Sequence, residues 1–182
     1  MNEIERKNIV ESRISTLVNE FNRYPDKFLT EDDVRAYLYH LLLDGFNEIK
    51  ETEDNSHSIS LHCEIRWYGQ DQNLRYRSDI VIFDVSQLKT QDDNQRLPSK
   101  GYGFNNPDVI IEVKLRRKGN KSDNQYKLDL EEDRRRLSEI KSQVSEVGHN
   151  IYTYLVAFDK KSNINFETRD TEYSKEYYIY KG

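Results

Sequence analysis

Two short apolar runs, each bounded by charge, constrain this chain more than anything else in it. Asp79 is followed by Ile80-Val81-Ile82-Phe83, and Val109-Ile110-Ile111 leads into Glu112-Val113-Lys114-Leu115. A strand with one wet face alternates polar and apolar residues, whereas a continuous β-branched run marks a strand covered on both sides. The two runs therefore predict the centre of a sheet with helices on both faces. Charges at the ends of such strands lie at the rim of a core. An unpaired charge there is costly, so each needs a partner, water or a metal ion.

The elements around these runs follow from periodicity. Val10, Ile14, Leu17, Val18 and Phe21 recur at helical spacing from about Glu3 to Phe21, and Tyr24-Pro25-Asp26 breaks the pattern. Thr30 with Asp33 three residues on is a capping box in which Asp replaces Glu or Gln. The helix it opens carries Val34, Leu38, Leu41 and Leu42 and ends near Asp44-Gly45. Ile59, Leu61, Cys63, Ile65 and Trp67 alternate with polar residues, which predicts a strand with that row buried, Cys63 included. A polar, Gly-containing insertion spans 86–106. After the third strand come a turn from Arg116 and a long helix in which Leu130, Leu137, Ile140, Val144 and Val147 share a face, with Gly148 as its stop. Asn150 to Phe158 is a fourth strand, and Tyr173 to Tyr180 is a candidate fifth. The order α, α, β, β, β, α, β predicts an α/β fold: a mixed central sheet flanked by helices, with consecutive strands as hairpins and the late helix as a crossover to a parallel neighbour.

Composition excludes several classes. No stretch approaches the ~18 apolar residues of a membrane-spanning helix, and no basic segment with an apolar run opens the chain as a signal peptide does. The single Cys63 rules out a disulfide framework. The four histidines lack metal-ligand spacing. A cytoplasmic protein that does not engage membranes is expected. The 182 residues suggest one domain, and their net charge of −5 is unlike that of a non-specific nucleic-acid coat. Charge is nonetheless uneven: Glu112 to Lys121 holds five bases against one acid.

The chemistry is concentrated in Glu112-Val113-Lys114. Residues two apart on a strand share a face at about 6.6–7 Å, so a carboxylate and an ammonium stand side by side. With Asp79 on a neighbouring strand, two carboxylates offer hard oxygen ligands to a divalent ion, and waters and a phosphate would complete its octahedron. Asp79 ahead of a hydrophobic strand, followed by the Glu112-x-Lys114 strand, resembles the signature of the PD-(D/E)XK phosphodiesterases, the restriction endonuclease-like nucleases. Their αβββαβ core matches the order of elements over about 30–158. Residues 1–24 would then be an N-terminal helical addition, 86–106 an insertion loop, and 1–182 a single nuclease-like domain.

The resemblance implies metal-dependent hydrolysis of phosphodiester bonds, most readily in DNA. In that scheme Asp79, Glu112 and the main-chain carbonyl of Val113 hold Mg²⁺ or Mn²⁺. Lys114 orients the attacking water or stabilises developing charge, and a nearby cation eases the loss of its proton. Glu31, on the helix before the first core strand, completes the metal shell, while Arg116, Arg117 and Lys118 position phosphates. Ser78 stands where the motif has proline. Pro107-Asp108 spells the dipeptide, but Asp108 would lie about 13 Å from Glu112 along one strand, too far to share an ion.

The alternative is a non-catalytic nucleic-acid- or protein-binding module that retains the nuclease-like fold. Glu31 would then only complement a helix dipole, and Asp79 would cap its strand or pair with Arg77. Arg134-Arg135-Arg136 after Glu131-Glu132-Asp133 reads as local neutralisation on a helix face. The amphipathic first helix offers a surface for a homodimer.

Overall fold

The computed structural model of the chain describes residues 1–68, 74–91, 103, 105–119, 121–144 and 150–181. Helix α1 (Glu3–Arg23) starts with Asn2 and Glu5 in a reciprocal capping box. Helix α2 (Glu31–Phe46) starts with the box expected at Thr30 and Asp33. The Asp33 carboxylate also accepts the Leu29 N–H at 2.8 Å, so it satisfies two main-chain donors. A two-residue hairpin, β1 (Lys50–Glu51) and β2 (His57–Ser58), precedes the main sheet. The sheet is built from β3 (Leu61–Tyr68), β4 (Leu74–Phe83), β5 (Pro107–Arg116), β6 (Tyr152–Asp159) and β7 (Ser174–Tyr180). Helix α3 (Asp123–Val144) lies between β5 and β6.

The five strands run in the order β3-β4-β5-β6-β7. β3, β4 and β5 are antiparallel neighbours, and β5, β6 and β7 are parallel. Mixed pairing follows from the connections, since α3 supplies the crossover that a parallel β5–β6 pair needs. Helices cover both faces. Val10, Ile14, Leu17 and Phe21 of α1 and Leu38 and Leu42 of α2 pack with Ile80, Ile82, Val109 and Ile111. Tyr126, Leu130, Leu137 and Ile140 of α3 pack with Val81, Ile110, Leu155 and Ala157. The continuous runs in β4 and β5 are therefore buried on both sides, as their composition predicts. Val10, Ile14, Leu17 and Phe21 of α1 are fully buried within the chain and Val18 is half-buried, so this stripe is spent on the core. A homodimer would have to use another face.

Two other expectations change. Asp79 does not open its strand, because β4 begins at Leu74. The row expected to be buried together in β3 is split: Leu61 packs under α1 and α2, Ile65 and Trp67 pack under α3, and Cys63 is exposed. The change of face falls at Glu64, whose φ of 63° places it in the left-handed region. Pairing with β4 steps from Cys63↔Ile80 to Ile65↔Ser78 and passes over Glu64 and Asp79. Sequence alternation is undisturbed by such a switch, so it leaves no periodic trace. Residues 92–102 and 104 of the insertion, and Val147 and Gly148 of the expected helix end, lie outside the described residues. Gly103, at the end of the insertion, donates its N–H to the Arg66 carbonyl at 3.0 Å. A Cβ there would stand 2.4 Å from that oxygen.

Ser78, in the motif's proline position, is fully buried and accepts the Trp67 indole N–H at 2.8 Å. Ser78→Ala would strand that donor. The expected loss is about 1–3 kcal/mol, read as a lower denaturant midpoint with an unchanged m value.

Candidate functional site

The site forms where two strands part. β4 and β5 pair from Phe83↔Pro107 to Ile80↔Ile111 and no further, while β5 continues to Arg116 alongside β6. Main-chain N–H groups in the gap must find other acceptors, because a buried orphan donor is costly. Asp79 Oδ2 accepts the Val113 N–H at 2.8 Å, and Glu31 Oε2 accepts the Leu115 N–H at 3.2 Å. Glu31 reaches the gap from the first turn of α2, where a carboxylate also complements the helix dipole.

Alternation along β5 sends Val109, Ile111, Val113 and Leu115 into the α1–α2 layer. Glu112, Lys114 and Arg116 consequently face α3. Glu112 is buried, with Asp79 and Asp133 near enough to raise its carboxyl. Lys114 Nζ lies 3.2 Å from Asp133 Oδ2 and 3.6 Å from Glu31 Oε1. Lys114 is thus engaged by acids from both α3 and α2.

Asp133 was not singled out by sequence reasoning. It is buried, on the stripe of Tyr126, Leu130, Leu137 and Ile140. An acid at helical phase with that stripe was the available signal, masked by its place in a charge run. Of the rest of that run, Arg135 and Arg136 pair locally with Glu132, whereas Arg134 bonds Glu131 on its own helix and also grips Glu176 of β7 through Nε and Nη2, each at 2.6 Å. Arg35 and Glu64 complete the surroundings of Asp79. Arg35 Nη1 bonds Glu64 and lies 3.3 Å from Asp79 Oδ1, and Nη2 lies 2.6 Å from Asp32. Arg77 pairs with Glu64 at 3.0 Å rather than with Asp79.

Burial pushes the Glu112 carboxyl well above the usual range, and Asp79 and Asp133 nearby push it further. Burial also raises Glu31, against the opposing pull of Lys114 and the Leu115 N–H. Asp133 is raised by burial in spite of Lys114. Burial would depress Lys114, but the carboxylates of Asp133 and Glu31 outweigh it and hold the ammonium above its ordinary value. In the absence of an ion these neighbours hold Lys114 as an ammonium.

The donors here are oxygens only, which suits Mg²⁺ or Mn²⁺ rather than a softer metal. Among the described residues no three His, Cys, Asp or Glu side chains form a metal-holding group. Asp79 and Glu112 offer oxygens alone, a donor chemistry suited to an ion that keeps part of its water shell.

Arg116 is not a phosphate contact. Its side chain is fully buried, with Nε 2.9 Å from Asp159 Oδ1, Nη1 2.7 Å from Asp123 and Nη2 2.8 Å from Ser162 Oγ. Its alternation with Lys114 carries it inward under the Tyr126 ring, 4.9 Å away. Arg117 and Lys118 are exposed. A pocket of about 250 Å³ opens beside Glu31 and Lys114 and is bordered by Arg117, Lys121 and Asp129. No helix among the described residues is long and apolar enough to cross a membrane. Compared with family models, curated proteins and solved structures, the chain gives no match.

Two outcomes are expected. Arg116→Met leaves Asp159 buried without its partner and should cost about 3–5 kcal/mol in chemical denaturation, whereas Lys118→Ala should stay within about 0.5 kcal/mol. The second concerns pH. Glu112, whose folded value stands well above its unfolded one, keeps a proton that the unfolded chain has released, so it lowers stability as pH rises from its unfolded value towards its folded one. Burial of His62 acts in the opposite sense, because its folded value is depressed. Glu112→Gln should therefore shift the slope of thermal midpoint against pH upward, measured without divalent ions.

Proposed function

We propose that the chain is a metal-dependent nuclease with a restriction endonuclease-like core, hydrolysing phosphodiester bonds and most readily those of DNA. The observation that carries this reading is the parting of β4 and β5, which gathers Asp79, Glu112 and Lys114 in one cleft. The run α2-β3-β4-β5-α3-β6 supports the αβββαβ core. Asp79, Glu112 and the Val113 carbonyl would hold Mg²⁺ or Mn²⁺, which when bound supplies Lewis-acid polarisation of a phosphate and a more acidic water.

The chain's own groups divide the remaining work. Lys114, kept as an ammonium by Asp133 and Glu31, is a fixed donor that orients water and stabilises charge on the phosphate. Glu31 is engaged by Lys114 and the Leu115 N–H, which supports a role in positioning the ammonium. Arg117 and Lys118 stand exposed near the cleft as phosphate contacts.

One observation favours the second reading, a non-catalytic nucleic-acid- or protein-binding module. Lys114 with Asp133, and Arg35 with Asp79, already compensate one another's charge without any ion. Cleavage assays with Mg²⁺ or Mn²⁺ on linear, nicked, branched and single-stranded DNA and on RNA separate the two. The nuclease reading expects cleavage that falls by about 100-fold or more in Asp79→Asn and Lys114→Gln, with both variants folded by circular dichroism. Absence of cleavage, together with nucleic-acid binding indifferent to chelator, would favour the module.

A further inference from the structure

We propose that Arg35 is a built-in counter-cation that competes with a divalent ion for Asp79 and so sets the affinity of the cleft. The inference rests on the metal-binding reading above. Arg35 stands on α2 among three carboxylates, those of Asp32, Glu64 and Asp79. Its contacts are unequal. Asp32 lies at 2.6 Å and Glu64 is in close contact, whereas Asp79 is met through one oxygen at 3.3 Å. Withdrawal from Asp79 therefore gives up one long contact and keeps two short ones.

The surroundings make such a withdrawal self-contained. Glu64, with its φ of 63°, presents its carboxylate to α2 instead of to the layer under α3. Asp79 stays in place when Arg35 leaves, because its other oxygen is held by the Val113 N–H at 2.8 Å. A guanidinium remains charged at every working pH, so deprotonation cannot release it and only a competing cation can. Two cations that share one carboxylate in a half-buried cleft oppose each other's binding. By reciprocity, a bound divalent ion weakens the Arg35–Asp79 contact by the same factor that Arg35 weakens the ion.

The test uses the full chain and Mg²⁺ alone. In ¹⁵N spectra of the wild type, the Arg35 side-chain resonance should move with the same Mg²⁺ midpoint as the Val113 amide. In calorimetry Arg35→Gln should bind Mg²⁺ about tenfold more tightly, and Arg35→Lys, which retains the charge, should bind like the wild type. An Arg35 resonance unmoved at saturation would overturn the proposal. So would equal or weaker binding by Arg35→Gln, which would mark a positioning residue instead. If that variant fails to fold, the wild-type spectra decide the matter alone. No Mg²⁺ binding by either protein would overturn the metal reading itself, an outcome distinct from binding that ignores Arg35.

Discussion

The parting of β4 from β5 beyond Ile80 and Ile111 is the constraint on which the rest of the site depends. Had the two strands stayed paired, the main-chain donors of β5 would have been spent on β4. Because they separate, Val113 and Leu115 must donate elsewhere, and Asp79 and Glu31 are the acceptors. Asp79 is thereby drawn out of water and near Glu112, and Glu31 is drawn part-buried to Lys114. Their desolvation in turn demands cations, and Lys114 and Arg35 answer it. One lost stretch of ladder thus accounts for the acids, the bases and the elevated carboxyl values in the cleft.

Buried ion pairs in proteins often do little better than break even with apolar packing, since desolvation offsets attraction. Their value here lies in what they hold together. Arg116 joins the end of β5 to Asp123 at the start of α3, to Asp159 at the end of β6 and to Ser162 beyond it. Tyr178 of β7 donates to the same Asp159 at 2.8 Å. The exposed Arg117 and Lys118 therefore follow a strand end tied to α3, β6 and β7. Lys114 does the equivalent inside the cleft, linking β5 to α3 through Asp133 and to α2 through Glu31. Both outer layers are in this way referenced to one strand.

The fold was legible in the sequence wherever a local rule had no competitor. Continuous apolar runs marked β4 and β5 as central, Thr30 and Asp33 marked the start of α2, and a long helix between strands marked the parallel β5–β6 crossover. The reading failed where geometry departs from periodicity. Glu64 turns β3 over without disturbing its alternation, so Cys63 is exposed and Trp67 lies in the opposite layer from Leu61. Arg116 looked like the first residue of a basic turn, yet it is the last residue of a strand and shares the inward phase of Lys114.

What the sequence determined by itself is the layered sheet, the helix that precedes it, and the presence of Asp79, Glu112 and Lys114 on adjoining central strands. These follow from side-chain period and from the cost of burying charge, both of which act over a few residues. Only the tertiary structure decided which groups those three would meet. Asp133, Arg35 and Glu64 come from α3, α2 and β3, and their approach depends on how each element is rotated against the sheet. That rotation is set by the packing of Leu130 and Leu137, of Leu38 and Leu42, and by one left-handed residue in β3. Contacts among segments so distant along the chain leave no local signature, because it is the shape of the core that selects them.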